Sequence, residues 1–458
     1  MSNQKDNRMG EEPIKKLLLT MGIPMILSMM LQALYNIVDS AFVSNMPGTG
    51  EAALNALTLA FPVQMLMVAI GIGTGVGVNV VIAMYLGQGN HEKASRTAGN
   101  AAFLGIIIYA VFLLFGLLGT DIYVKSQTSN AQIIEMASDY LKICCVASFG
   151  IVFFSLYEKI IQSTGRSIYS TIAQITGAVL NVVLDPIMIY GLFGCPEMGV
   201  NGAAYATIIG QIASFALAFF FHIKYDKEIS NGISYMKPEI KIIKKIYMIG
   251  IPAIIAQALM SVMTYALNII FGMVDERVVT AYGLYYKIQQ FLLFAAFGLR
   301  DAITPIVSFN YGKGDKKRIK EGVRYGVIDT LVIMGAGLIL LEIFANILTS
   351  VFGLSGDTAS ICVSAIRVIS LSFLFAGINV ALQGCFQALG DGLASLIISV
   401  LRQFLLVIPV AWLFAKMVIG AGAPIWVLWI TFLIAEGVTA VIAVLLLKKA
   451  MRNKVEIL

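Results

Sequence analysis

The chain has 458 residues, of which 59% are hydrophobic and only 13% charged. A soluble globular chain carries about 25% charged residues, so a water-soluble fold is excluded. The net charge of +6 comes from 32 basic and 26 acidic residues. They lie in short clusters between apolar runs, a pattern of membrane topology and not of a nucleic-acid partner.

Each apolar run is long enough to cross ~30 Å of hydrocarbon as a helix of about 20 residues. The runs are continuously apolar and do not alternate, which excludes a β-barrel. About twelve spans are expected, at 14–42, 53–84, 94–118, 131–157, 165–191, 200–223, 247–272, 278–309, 320–348, 358–388, 391–415 and 425–447. The segment before them is polar and of mixed charge, so it is not expected to act as a cleaved signal. With the N-terminus in the cytoplasm, nearly all Lys and Arg of the loops and tails fall inside, among them Lys15, Lys16, Lys93, Arg96, Lys316, Lys317 and Lys448. An even number of spans returns the C-terminus to the same side.

In the first span, Gln32, Tyr35, Asn36 and Asp39 recur at steps of three and four and share one helix face. A carboxylate at bilayer depth is a functional hypothesis by default; the plainer role for Asp39 is to cap a loop at the water interface. The second span holds Gly71-Ile72-Gly73-Thr74-Gly75-Val76-Gly77. No strand precedes this run, so it is read as helix packing and not as a nucleotide loop. Five cysteines show neither metal nor disulfide spacing. Glu158 closes the fourth span, as a third acid or as an end marker.

In the fifth span, Asn181 and Asp185 stack four residues apart, and Pro186 frees the carbonyl of Val182. A carboxylate, an amide oxygen and a loose carbonyl suit a proton or a small cation; the alternative is a satisfied structural network. Thr207 follows in the small-residue run Gly202-Ala203-Ala204-Tyr205-Ala206-Thr207 of the sixth span, where packing is the simpler role. Two aspartates close together in low dielectric need a shared proton or a bridging cation. The later spans carry Arg300, Asp301, Arg367 and Arg402. Arg300 and Asp301 are adjacent and do not face each other on a helix, so no ion pair is expected. These cations face a cleft or snorkel to the interface. His91 and His222 are isolated, and no metal or cofactor site is expected.

The chain also repeats itself. Met21-Gly22-Ile23-Pro24 aligns with Ile249-Gly250-Ile251-Pro252 at a shift of 228. Tyr85-Leu86-Gly87-Gln88-Gly89-Asn90 aligns with Asn310-Tyr311-Gly312-Lys313-Gly314-Asp315, and Gln162-Ser163-Thr164-Gly165 with Gln387-Ala388-Leu389-Gly390, both at 225. The expected organisation is all-α: a six-helix lobe at 1–223, a cytoplasmic linker at 224–246 and a second six-helix lobe at 247–458. Six spans per half implies a pseudo-twofold axis along the membrane normal and a cleft suited to alternating access.

Gly22-Ile23-Pro24, Val38-Asp39, Leu86-Gly87-Gln88-Gly89, Leu184-Asp185-Pro186, the run ending at Thr207, and Asn310-Tyr311-Gly312 together resemble the multidrug and toxic compound extrusion (MATE) family, DinF-like branch, over nearly the whole chain. The resemblance implies a secondary active exporter of organic, cationic or amphipathic compounds, coupled to protons or sodium. It implies a cation site at Asp39, Asn181, Asp185 and Thr207, and a hinge at Pro24. The substrate cleft is expected to involve Gln32, Tyr35, Asn36, Arg300, Asp301, Arg367 and Arg402. The seventh span lacks the acid of the NorM-like branch, and the tenth carries Arg367 instead, so no second sodium site is carried over. The alternative function is a flippase or exporter for a lipid-linked or anionic amphiphile. The expected setting is a bacterial inner membrane, with small-molecule substrates, lipid neighbours, and a monomer sufficient. No nucleophile–base set marks an enzyme.

Overall fold

The computed structural model describes residues 7–351 and 354–458, without the side chains of Asn36, Ile37 and Ser40. Every regular element among the described residues is helical, as a chain in hydrocarbon requires when each segment must satisfy its own backbone. In chain order the spans are α1 (Ile14–Ser44), α2 (Gly50–Gly87), α3 (His91–Leu118), α4 (Ala131–Val146 and Phe149–Ser163), α5 (Ser167–Tyr190) and α6 (Gly199–Tyr225). The second half holds α7 (Ile240–Gly272), α8 (Glu276–Lys313), α9 (Lys316–Val351), α10 (Gly356–Ser370 and Phe373–Ala388), α11 (Gly392–Val400, continuing to Ala421) and α12 (Ile430–Ala450). Ten helices are long and apolar enough to cross a membrane; α4 and α10 are pairs bent by 45° and 51°, giving twelve spans if each pair counts once. The expected all-helical, multi-pass architecture is therefore present.

The repeat seen in sequence returns as matched contacts. Asn79 Nδ2 donates to the Lys159 carbonyl (3.0 Å), and Thr304 Oγ1 to the Gly384 carbonyl (3.5 Å). Gln162 Nε2 donates to Ser170 Oγ (3.4 Å), and Gln387 Nε2 to Ser395 Oγ (3.2 Å). Each contact and its partner are offset by 225 residues. The turns that follow α2 and α8 are also alike. Gly89 and Gly314 have φ of +70° and +77°, a backbone that glycine adopts without a Cβ penalty.

Contacts divide the chain into two compact units, one containing Leu27–Ile254 and the other Met9–Ile26 with Ile255–Leu458. We refer to them as the N-unit and the C-unit. In the N-unit, the first half of α7 packs on the glycine run of α2. A Cβ at Gly73 would lie 2.4 Å from Ile254 Cγ1, and one at Gly77 would lie 2.2 Å from the Ile246 carbonyl oxygen. The run serves close helix approach. In the C-unit, Gly298 plays the part of Gly73: a Cβ there would lie 2.7 Å from the Ile26 backbone.

The segment after α6 is docked on the N-unit. His222 and Asp226 are each 1% exposed, with Nδ1 and Oδ2 2.9 Å apart. Thr164 Oγ1 donates to Asp226 Oδ1 (2.7 Å), and Arg166 forks onto Glu228 (2.8 and 2.9 Å). Burial raises the Asp226 carboxyl above its ordinary value, and His222 leads the groups that pull it back. His222 is therefore a structural anchor of this segment.

Candidate functional site

Small residues let α5 and α6 meet closely. A Cβ on Gly177 would fall 2.4 Å from the Gly210 carbonyl oxygen. This approach brings Asn181 of α5 to Thr207 of α6: Asn181 Nδ2 lies 3.4 Å from Thr207 Oγ1 and 3.3 Å from Asp185 Oδ1. Asn181 and Asp185 share the buried face of α5, at 3% and 0% exposure. Pro186 sits inside α5 without ending it, so the Val182 carbonyl lacks the N–H that a non-proline residue would offer.

Asp39 of α1 joins the cluster, its carboxyl close enough to that of Asp185 for the two to interact directly. Two carboxyls this close in low dielectric call for a shared proton or a bridging cation. Asp39 Oδ1, Asp185 Oδ2 and Asn181 Oδ1 are all buried without a hydrogen-bond partner among the described residues. Orphaned buried oxygens are costly, and three in one cluster form an acceptor-only set of hard ligands. All four residues named by sequence for this site are thus together in the N-unit. The donor set fits a proton or a small hard cation.

Of the other expected positions, Tyr35 lies within electrostatic reach of both Asp39 and Asp185. Gln32 Oε1 accepts from Gln174 Nε2 (2.8 Å), and Gln174 Oε1 accepts from Ser28. The Asn36 side chain lies outside the described residues. Beside the cluster, Gln64 Nε2 donates to Tyr140 Oη (3.1 Å), a pair the sequence reading does not single out. Glu158 is buried and accepts from Gln162 Nε2 (2.9 Å), and Lys159 Nζ donates to Gln162 Oε1 (3.0 Å).

Of the three arginines expected at a cleft in the C-unit, Arg300 and Arg402 are engaged. Contrary to the expectation that neighbours on a helix do not pair, Arg300 Nη2 and Asp301 Oδ1 are 2.8 Å apart. The long guanidinium arm swings back over the next residue, and both side chains are largely buried, at 15% and 6% exposure, where an unpaired charge would be costly. Arg300 also donates to Gln383 Oε1 (3.3 Å). Arg402 binds Glu436 through Nε and Nη2 (3.0 and 2.6 Å), and Asn379 Nδ2 donates to Glu436 Oε2 (2.7 Å). Arg367 is exposed. Glu436 is not among the residues expected from sequence, although a lone carboxylate inside the twelfth apolar run is the signal that finds it. The pair borders a cavity of about 40 Å³ whose walls include Met263, Tyr286, Gln290, Phe297 and Gln403.

The profile of the MatE family matches residues 24–187 and 252–413. The two segments start at Pro24 and Pro252, the aligned prolines of the internal repeat. Multidrug export protein MepA of Staphylococcus aureus (strain MSSA476) is 24% identical over 436 residues, which cover 95% of this chain and 94% of that protein. Among solved structures, an outward-facing multidrug resistance MATE transporter of the MOP superfamily superposes with a TM-score of 0.90 at 24% identity, covering 99% of this chain and 100% of that one. A MOP superfamily transporter from Pyrococcus furiosus, described as having a binding pocket of reversed polarity, gives 0.87 at 25% identity, with 97% of each chain covered. The twelve helical spans, the internal repeat and the match over both halves make one conclusion: the chain belongs to the MatE family, a family of multi-pass membrane proteins.

Proposed function

We propose that this protein is a secondary active multidrug exporter. It expels organic, cationic or amphipathic compounds in exchange for protons or sodium ions, by alternating access of two lobes, 1–223 and 247–458, joined through 224–246. The relatives named for multidrug export and the extent of the family match support this reading. The coupling ion binds at Asp39, Asn181, Asp185 and Thr207. The observation that carries this assignment is the set of buried oxygens of Asp39, Asn181 and Asp185 that lack a donor among the described residues. Ion or proton entry satisfies them and exit strands them again, which ties occupancy to a gradient.

Pro24 serves as the hinge of α1. It lies inside the helix, and two residues beyond it the chain passes from one contact unit to the other. Tyr35 and Gln32 line the path of the cargo. The protein works as a monomer in a bacterial inner membrane, with both termini in the cytoplasm. Arg300 and Arg402 are neutralised by Asp301 and Glu436, so a lobe built for anionic amphiphiles is the weaker reading.

The test is ethidium efflux from proteoliposomes under an imposed proton gradient and then a sodium gradient. Flux driven by one gradient, absent in Asp39→Asn, identifies the ion and supports the site. Equal flux in wild type and Asp39→Asn would remove the site. No flux under either gradient would remove the exporter.

A further inference from the structure

The first turns of α3 are roofed over by the segment that follows α6. Ser230 N donates to Ser95 Oγ (2.8 Å), His91 Nδ1 lies 3.2 Å from the Glu228 carbonyl, and Glu239 N donates to Asn100 Oδ1 (2.8 Å). A Cβ at Gly99 would lie 2.2 Å from the Tyr235 carbonyl oxygen, so only glycine fits beneath that roof.

The counterpart of α3 in the second half is α9. It begins at Lys316, where α3 begins at His91, an offset of 225. The caps agree: Asn90 Oδ1 accepts from Lys93 N (3.0 Å), and Asp315 Oδ1 from Arg318 N (3.0 Å). The two helices therefore run in one register, and the places of His91, Glu92, Ser95 and Gly99 are taken by Lys316, Lys317, Lys320 and Arg324.

Those four cations are exposed. With Glu321 they line a groove of about 400 Å³. None of them takes part in an ion pair formed among the described residues. Lys316 Nζ donates to the Glu456 carbonyl (2.9 Å), and Arg324 leans on the Tyr325 ring. Arg318, by contrast, points into the protein and donates to the Met9 and Glu12 carbonyls (2.8 and 2.7 Å). The stripe Lys316–Lys320–Arg324 continues at the same four-residue step into Ile328 and Val332, apolar and 41% and 65% exposed. Basic side chains at the mouth of a span, followed by an outward apolar stripe, offer a phosphate contact above and an acyl-chain contact below.

We propose that this groove binds the headgroup of an anionic phospholipid, on the face that the linker covers in the first half. The four cations would repel one another under a neutral cover, whereas a phosphate offsets part of their charge and accepts from Arg and Lys together. Ile328 and Val332 favour a lipid over a free phosphate, because they provide surface only to a molecule with a chain.

The test uses the full chain in nanodiscs of equal phosphatidylglycerol and phosphatidylcholine, with mass spectrometry of the lipid that stays bound on extraction into detergent. Wild type should retain phosphatidylglycerol preferentially. The combined variant Lys316→Gln, Lys317→Gln, Lys320→Gln, Arg324→Gln should lose the preference by about tenfold or more, since each juxtamembrane cation is worth roughly fivefold. The charge-preserving variant Lys316→Arg, Lys317→Arg, Lys320→Arg should keep it. Equal preference in the glutamine variant overturns the proposal. So does loss of the preference in wild type on adding excess inorganic phosphate, which would make the groove a free-phosphate site. If the combined variant elutes aggregated, Lys320→Glu alone is read in the same way, and an unchanged preference there also overturns the proposal.

Discussion

The two halves of this chain share a pattern of helices and differ in what they bury. In the N-unit, α1 and α5 bring Asp39, Asn181 and Asp185 together and leave an oxygen of each without a donor among the described residues. In the second half the same places are apolar. Asp39 corresponds to Leu267 at the 228 offset fixed by the two prolines. In α11 the π-turn Leu401–Leu405 adds one residue to the 225 offset, so Asn181 and Asp185 correspond to Val407 and Ala411, 1% and 0% exposed. The C-unit keeps its buried charge elsewhere, as the Arg402–Glu436 pair with Asn379. An unbalanced acidic cluster changes its energy when an ion or proton arrives; a neutral, fully bonded pair does not. The acidic cluster proposed as the ion site thus lies in one unit, while the other unit buries a pair that balances its own charge.

The sharpest way to break this comparison is at the acidic cluster. Asp185→Asn and Asp39→Asn should each bring gradient-driven efflux in proteoliposomes down to the level of empty vesicles, with membrane insertion unchanged. The C-unit pair should fail differently. Glu436→Gln strands Arg402 and should lower stability by about 3–5 kcal/mol, read as an earlier thermal unfolding in detergent. Replacing both partners, Arg402→Met with Glu436→Leu, should recover most of that loss; no recovery would mean that the pair does more than balance charge.

A smaller effect is expected where helices touch. Gly77→Ala places a methyl against the Ile246 carbonyl and should cost roughly 1–3 kcal/mol of stability, whereas Ala at Gly283, which faces open space, should not reduce it. The smallest effect lies at the α8 N-cap. Arg277 holds the Asp275 carboxyl down at about 2, below its ordinary 3.8. Its contribution to stability is therefore complete above the ordinary value and is lost as pH falls through about 2. Asp275→Asn should remove that acid-side step from a stability–pH curve by bringing the neutral-pH end slightly down towards the acid-side level.

Much of this was legible in the sequence. Continuous apolar runs can be satisfied in hydrocarbon only as helices, so twelve spans follow from composition and length. The repeat is written in Pro24 and Pro252 and in Gly89 and Gly314, because breaks and turns demand particular residue types. The face shared by Asn181 and Asp185 follows from a four-residue step. What only the tertiary structure decided is which side chains from distant segments meet. Helical periodicity places Arg402 on a face, but not against Glu436 across a helix interface. It keeps Arg300 and Asp301 apart, although a flexible guanidinium arm in a buried setting closes that gap. Nor does it reveal that the segment after α6 lies on α3, since a polar linker has the same composition docked or free. Local pattern determines the element and its faces; the partner of a buried charge depends on packing between elements, which a single strand of sequence does not carry.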